Sequence, residues 1–93
     1  MQKARTQNNV VPLSAGPEDP LHVCVEKAVR RYFADLNGHN PGDLHPMVMR
    51  EVEAPLLRTV MDHVAGNQTR AAEILGINRS TLRKKLSLYG LVD

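Results

Sequence analysis

The segment GNQTRAAEILGINRSTLRKKL, residues 66–86, decides the fold. Asn67 opens a short helix, its side chain suited to capping backbone N–H groups that lack a helical partner. The helix carries Ala71, Ala72, Ile74 and Leu75. It stops at Gly76, the residue that enters the left-handed conformation at least cost. Ile77 follows as a turn residue fit for burial, and Asn78 caps again. A second helix then carries Leu82 and Leu86, four apart and so on one face. The paired alanines let the two helices approach closely. Two caps, a turn glycine and matched apolar spacing describe a helix-turn-helix.

The outward chemistry of this segment suits nucleic acid. The second helix begins Arg79-Ser80-Thr81 and continues Arg83-Lys84-Lys85. Its N-terminal end, set in a major groove, offers Asn78 and Arg79 to base edges. Asn can bond adenine with two hydrogen bonds, and Arg can do the same to guanine. Thr69, Thr81 and the N–H groups at both helix starts suit phosphates, and Arg70, Arg83, Lys84 and Lys85 supply positive charge. The competing reading is a solvated basic helix on a small globular domain.

Charge distribution supports the first reading. Residues 67–93 hold five Lys/Arg and two Asp/Glu, a balance of +3. Residues 41–66 hold two basic and four acidic residues, and residues 1–40 hold five and four, giving −2 and +1. The positive end coincides with the helix-turn-helix.

Upstream, Asp43 caps a long helix expected to run to about Val64 and to be ended by Gly66. Pro46 falls in its first turn, where proline is tolerated; Pro55 falls inside, removes one hydrogen bond and should kink it. Leu44, Val48, Val52, Leu56 and Val60 recur at fours, flanked by Met47, Met49, Leu57, Met61 and Val64. So broadly apolar a helix needs cover on more than one side, and an intertwined homodimer supplies it; a monomeric bundle core is the alternative. Before it, Asp19 caps a first helix that begins at Pro20, with Leu21, Val25, Ala28, Val29, Tyr32, Phe33 and Leu36 on one stripe, closed by Asn37-Gly38. Residues 1–18 are polar or turn-prone and read as a flexible N-terminal arm. After Leu86, Tyr89 packs the last helix against the body and Gly90 ends it. The expectation is an all-α, four-helix protomer: arm 1–18, two-helix dimerisation core 19–66, helix-turn-helix DNA-binding unit 67–93.

Other classes find little support. There is no nucleophile–base pairing, no glycine-rich phosphate loop, and too short a chain for a supported pocket, so no enzyme is expected. His22, His39, His45 and His63 lack metal-ligand spacing, and neither a metal nor a cofactor is expected. The lone Cys24 fits a reducing compartment and inert packing. No apolar run approaches a secretory signal or membrane span, which points to the cytoplasm. RNA is a poorer partner than DNA, because none of the three aromatics lies in the basic helix.

YFADLNG (32–38), EVEAPLL (51–57), GNQTRAAEILGIN (66–78), TLRKKL (81–86) and YG (89–90) together resemble the Fis family, the bacterial factor for inversion stimulation. The resemblance covers about residues 21–90. The last two helices alone are also similar to the output domains of enhancer-binding activators. The long helix with its internal proline and the LNG turn favour Fis. The resemblance implies a nucleoid-associated homodimer that binds degenerate AT-rich sites, bends DNA between two closely spaced recognition helices, and regulates transcription. It further implies RNA polymerase or a site-specific recombinase as partners. Asn67, Thr69, Arg70, Asn78, Arg79, Thr81, Arg83, Lys84 and Lys85 match family DNA-contact positions, with Arg79 for guanine and Lys84 and Lys85 on the outer backbone. The arm TQNNVVPLSAGPEDP departs from the family's recombinase-contacting hairpin, and His63-Val64-Ala65 lacks a basic residue found before the glycine in family members. The second hypothesis is a helical module whose main partner is another protein.

Overall fold

A computed structural model of the chain describes residues 13–14 and 19–92. Four helices occupy them: α1 (Leu21–Ala34), α2 (Leu44–His63), α3 (Gln68–Leu75) and α4 (Arg79–Leu88). The only extended pairing among the described residues is one antiparallel bridge between Ser14 and Pro20. The fold is all-α. Two compact units divide the chain, one ending at Pro41 and the other spanning Gly42–Asp93.

In the first unit, the Leu21 N–H donates to the Leu13 carbonyl at 2.7 Å. Most of the expected flexible arm lies outside the described residues. Asp19 was expected to cap α1, but the capping position falls one residue later. Pro20, at φ −60° and ψ 162°, accepts the Val23 and Cys24 N–H groups through its carbonyl. The Asp19 carboxylate is thereby set too far back to reach the helix start. It holds the Lys27 ammonium instead, at 2.5 Å, which pushes the Lys27 pKa up. No residue of α1 is buried, and Leu21 and Phe33 of its apolar stripe are 42% and 49% exposed. The left-handed closure is at Asn37 and Gly38, as expected, with φ 54° and 83°.

In the second unit, Asp43 precedes α2 as expected but its side chain makes no capping bond. Its backbone is left-handed, at φ 56°, whereas a side-chain cap needs the extended region. Pro55 lies inside α2, so the Glu51 carbonyl loses its helical donor. Leu57 alone in α2 is buried, and it joins Ala71, Ala72, Leu82 and Leu86 in the core. Val60, Met61 and Val64 of α2 pack around that core with Leu75, Ile77, Tyr89 and Leu91. The alanines are 0% and 6% exposed, which is what lets α3 lie close to its neighbours. Ile74, expected on the apolar face of α3, is 45% exposed instead.

One closure recurs at the ends of α2, α3 and α4. Just past each helix end an N–H reaches back five residues: Gly66 to Met61, Ile77 to Ala72, Leu91 to Leu86, at 3.0, 3.1 and 2.8 Å. The residue directly before that donor is left-handed in each case. That residue is Gly76 and Gly90 in two closures, at φ 75° and 69°, but Ala65 in the first, at φ 53°. A left-handed alanine costs about 1–2 kcal/mol, part of which glycine's greater unfolded freedom cancels. Ala65→Gly is therefore expected to stabilise by about 0.5–1 kcal/mol and Gly76→Ala to destabilise by a similar amount or more. A Cβ at Gly76 would meet nothing within 4 Å, so the second change reports backbone conformation alone. Denaturant midpoints moving in the same direction for both variants would contradict this assignment.

Candidate nucleic-acid interface

The two asparagines of the helix-turn-helix act as the spacing predicts. Asn67 Oδ1 accepts the Arg70 N–H at 3.1 Å. Asn78 Oδ1 accepts the Thr81 N–H and the Ser80 hydroxyl, both at 2.8 Å. These bonds fix where α3 and α4 begin. They also change what Asn78 can offer a base. Its oxygen is committed to the cap, so the two-bond pairing with adenine expected from the sequence is closed to it while the cap stands; only its NH₂ is free.

Leu82 and Leu86 turn inward, which sends Arg79, Arg83 and Ser87 outward on one row and Ser80 and Lys84 on the next. These rows and the start of α3 line an open groove, to which α3 contributes Asn67, Gln68 and Thr69. The first N–H groups of α3 have no helical partner and carry the positive end of the helix dipole. Asn67, Thr69, Arg79, Arg83 and Lys84, five of the nine expected contact residues, are thus brought together.

The cations of this unit fall into two groups. Arg79, Arg83 and Lys84 are exposed and make no ion pair or side-chain hydrogen bond among the described residues. Arg70 is exposed but paired with Glu73 at 3.4 Å. Lys85 is turned the other way, its ammonium 2.8 Å from Glu53 Oε2 on α2. Tyr89 donates its hydroxyl to the other oxygen, Oε1, at 2.6 Å. Those two bonds hold the Glu53 carboxyl below its ordinary range, the Lys85 bond being the larger influence. The same contacts push the Lys85 and Tyr89 pKa values up. Lys85 was expected on the outer DNA backbone; in the protein without DNA its charge is already matched inside the fold. Thr81 lies outside the groove, half-buried, its backbone N–H taken by Asn78.

Sequence reasoning missed Gln68, Ser80 and Ser87 as groove residues. Ser80 and Ser87 were readable, each four positions from a groove-lining cation, Lys84 and Arg83. Among the described residues no three His, Cys, Asp or Glu side chains gather as metal ligands, and no helix is long and apolar enough to cross a membrane.

The sequence is similar to known proteins. Residues 48–89 match the family model described as bacterial regulatory protein, Fis family, and residues 1–41 match that of the DNA-binding protein Fis N-terminal domain. The second match takes in residues 1–20, upstream of the resemblance carried by motifs alone. A Fis-like DNA-binding protein of Xylella fastidiosa is 55% identical over 89 residues, covering 90% of this chain and 99% of the relative. One of Pseudomonas aeruginosa is 62% identical over 72 residues, 77% of this chain and 69% of that protein. The DNA-binding protein Fis of Escherichia coli is 54% identical over 74 residues, 80% and 76% of the two chains.

Proposed function

The chain belongs to the Fis family of bacterial regulatory proteins, and from that premise we propose that it is a homodimer that binds and bends double-stranded DNA at degenerate AT-rich sites. The observation that carries the reading is the unpaired trio Arg79, Arg83 and Lys84 in one groove with the start of α3. Three cations beside unsatisfied helix N–H groups suit a phosphate backbone, and Arg79 at the first position of α4 suits a guanine edge. Arg70 contributes from the exposed face of α3, and residues 67–93 form the DNA-reading unit.

The dimer follows from apolar surface that the protomer leaves open. Phe33 on α1 and Met47, Met49 and Leu56 on α2 are each 37–49% exposed. Residues 19–66 would form the dimerisation core. A pair of recognition helices on a two-fold scaffold, spaced closer than a DNA turn, requires the duplex to curve, so deformable AT-rich centres are favoured. The protein would act on the nucleoid in the cytoplasm, in DNA organisation and transcription regulation. RNA polymerase and a site-specific recombinase are further partners carried by family membership alone.

The test is a gel shift on circularly permuted probes with an AT-rich centre flanked by G and C, at two salt concentrations. Mobility that depends on site position, with strong salt sensitivity, is expected. Leu56→Asp should leave the helix-turn-helix folded, because Leu56 is 45% exposed, yet sediment as a monomer and bind at least tenfold more weakly. Binding without bending would favour a stand-alone output domain of the activator type. Absence of binding at low salt would favour the protein-interaction module.

A further inference from the structure

We infer that Glu53, Lys85 and Tyr89 form a clasp that sets the orientation of α4 against α2, making Lys85 and Tyr89 positioning residues for DNA reading and not phosphate contacts. The inference rests on the DNA-binding function proposed above. It begins from the helix phase. Leu82, Lys85, Leu86 and Tyr89 recur at three, four and seven residues, so Lys85 belongs to the inward stripe of α4. Glu53 and Leu57 stand four apart on the inward stripe of α2, so the two stripes meet. Both Glu53 oxygens are taken, one by each partner on α4. The Glu53 side chain is only 19% exposed and that of Lys85 33%.

Electrostatics keep the clasp shut when DNA is present. A swing of Lys85 to a phosphate would strip one oxygen of a largely covered carboxylate and leave its charge unmatched beside a polyanion. Lys84, one residue earlier, already reaches the groove with no internal partner. The clasp also joins residues 36 apart in sequence, α2 to the end of α4, where the local turns at Gly76 and Asn78 have no hold. A rotation of α4 about its own axis would carry Arg79 off its base while leaving diffuse charge attraction intact.

The experiment compares the full chain with Lys85→Met, Glu53→Gln, the double variant, Tyr89→Phe and Lys84→Ala. Binding to a specific site and to random DNA is measured across salt, and melting is measured without DNA. Tyr89→Phe keeps the ring and loses only the hydroxyl, so it stays folded if a harsher change does not. The clasp requires Lys84→Ala to flatten the salt dependence while Lys85→Met leaves its slope unchanged. It requires Lys85→Met, Glu53→Gln and Tyr89→Phe each to narrow the ratio of specific to random affinity, by about tenfold for Lys85→Met, the scale of one lost base contact. It also requires the double variant to lose less melting temperature than the sum of its singles. A slope lowered by Lys85→Met as much as by Lys84→Ala would make Lys85 a phosphate contact. Tighter binding of Glu53→Gln to both DNAs would make Glu53 a mere mask on Lys85. Either result overturns the inference. If the wild type bound neither DNA, the proposed function would fall, and additive melting losses would separately overturn the clasp.

Discussion

Leu86→Ala is expected to lower stability by about 2–5 kcal/mol, whereas Leu88→Ala, two residues on, should change it by less than about 0.5 kcal/mol. Leu86 is fully buried and Leu88 is 66% exposed. The core it leaves is small: Leu57, Ala71, Ala72 and Leu82 are the other buried residues among those described. The two alanines have no side-chain reach with which to refill the space, so little collapse can offset the cavity. In a domain of this size, a loss on that scale lowers the melting temperature by more than about 10 °C. Thermal melts at one fixed protein concentration decide the matter, since association would otherwise shift both variants. Similar losses for the two would mean that α4 does not present its 82–86 face to the core.

Arg79→Ala should cost roughly 1–3 kcal/mol at each half of a good site, and about twice that over a two-fold site. The melting temperature should barely move, because the Arg79 side chain is exposed and has no partner among the described residues. Random DNA should be affected far less than the specific site. Lys84→Ala should behave in the opposite way, weakening all sequences alike. The comparison is made by titrating specific and random duplexes at one salt concentration. Equal loss on both duplexes for Arg79→Ala would move that residue from the bases to the phosphates.

Local rules were the legible part of this chain. Asn67, Gly76 and Asn78 act within three or four residues of themselves, and each takes the conformation and bond its type suggests. The same rule misplaced Asp19 by one residue and gave Asp43, at the right position, a capping bond it does not make, because a side-chain cap depends on a one-residue offset and an extended backbone that composition does not report. Leu57 was harder, since a helix apolar on several sides has no unique phase. Only the packed structure reveals that Leu57 faces α3 and α4 while Leu56 stays open. For the candidate site, charge counting brought Arg79, Arg83, Lys84 and Lys85 together. Phase divides them, and Lys85, four residues before Tyr89 and three after Leu82, turns inward. An acidic residue on the inward stripe of α2 was the cue that charge counting passed over.

The recurring helix closures carry a lesson for anyone wishing to retarget the protein. Main-chain atoms at Gly66, Ile77 and Leu91 and two asparagine caps fix where α3 and α4 start and stop. The exposed positions Arg79, Ser80, Arg83 and Ser87 contribute nothing to the core. Apart from Ser80, whose hydroxyl joins the Asn78 cap, scaffold and script are thus written in separate residues. A library randomised at Arg83 and Ser87, with Asn78, Ser80, Gly76 and the paired alanines held constant, explores new base preferences without spending stability on each attempt.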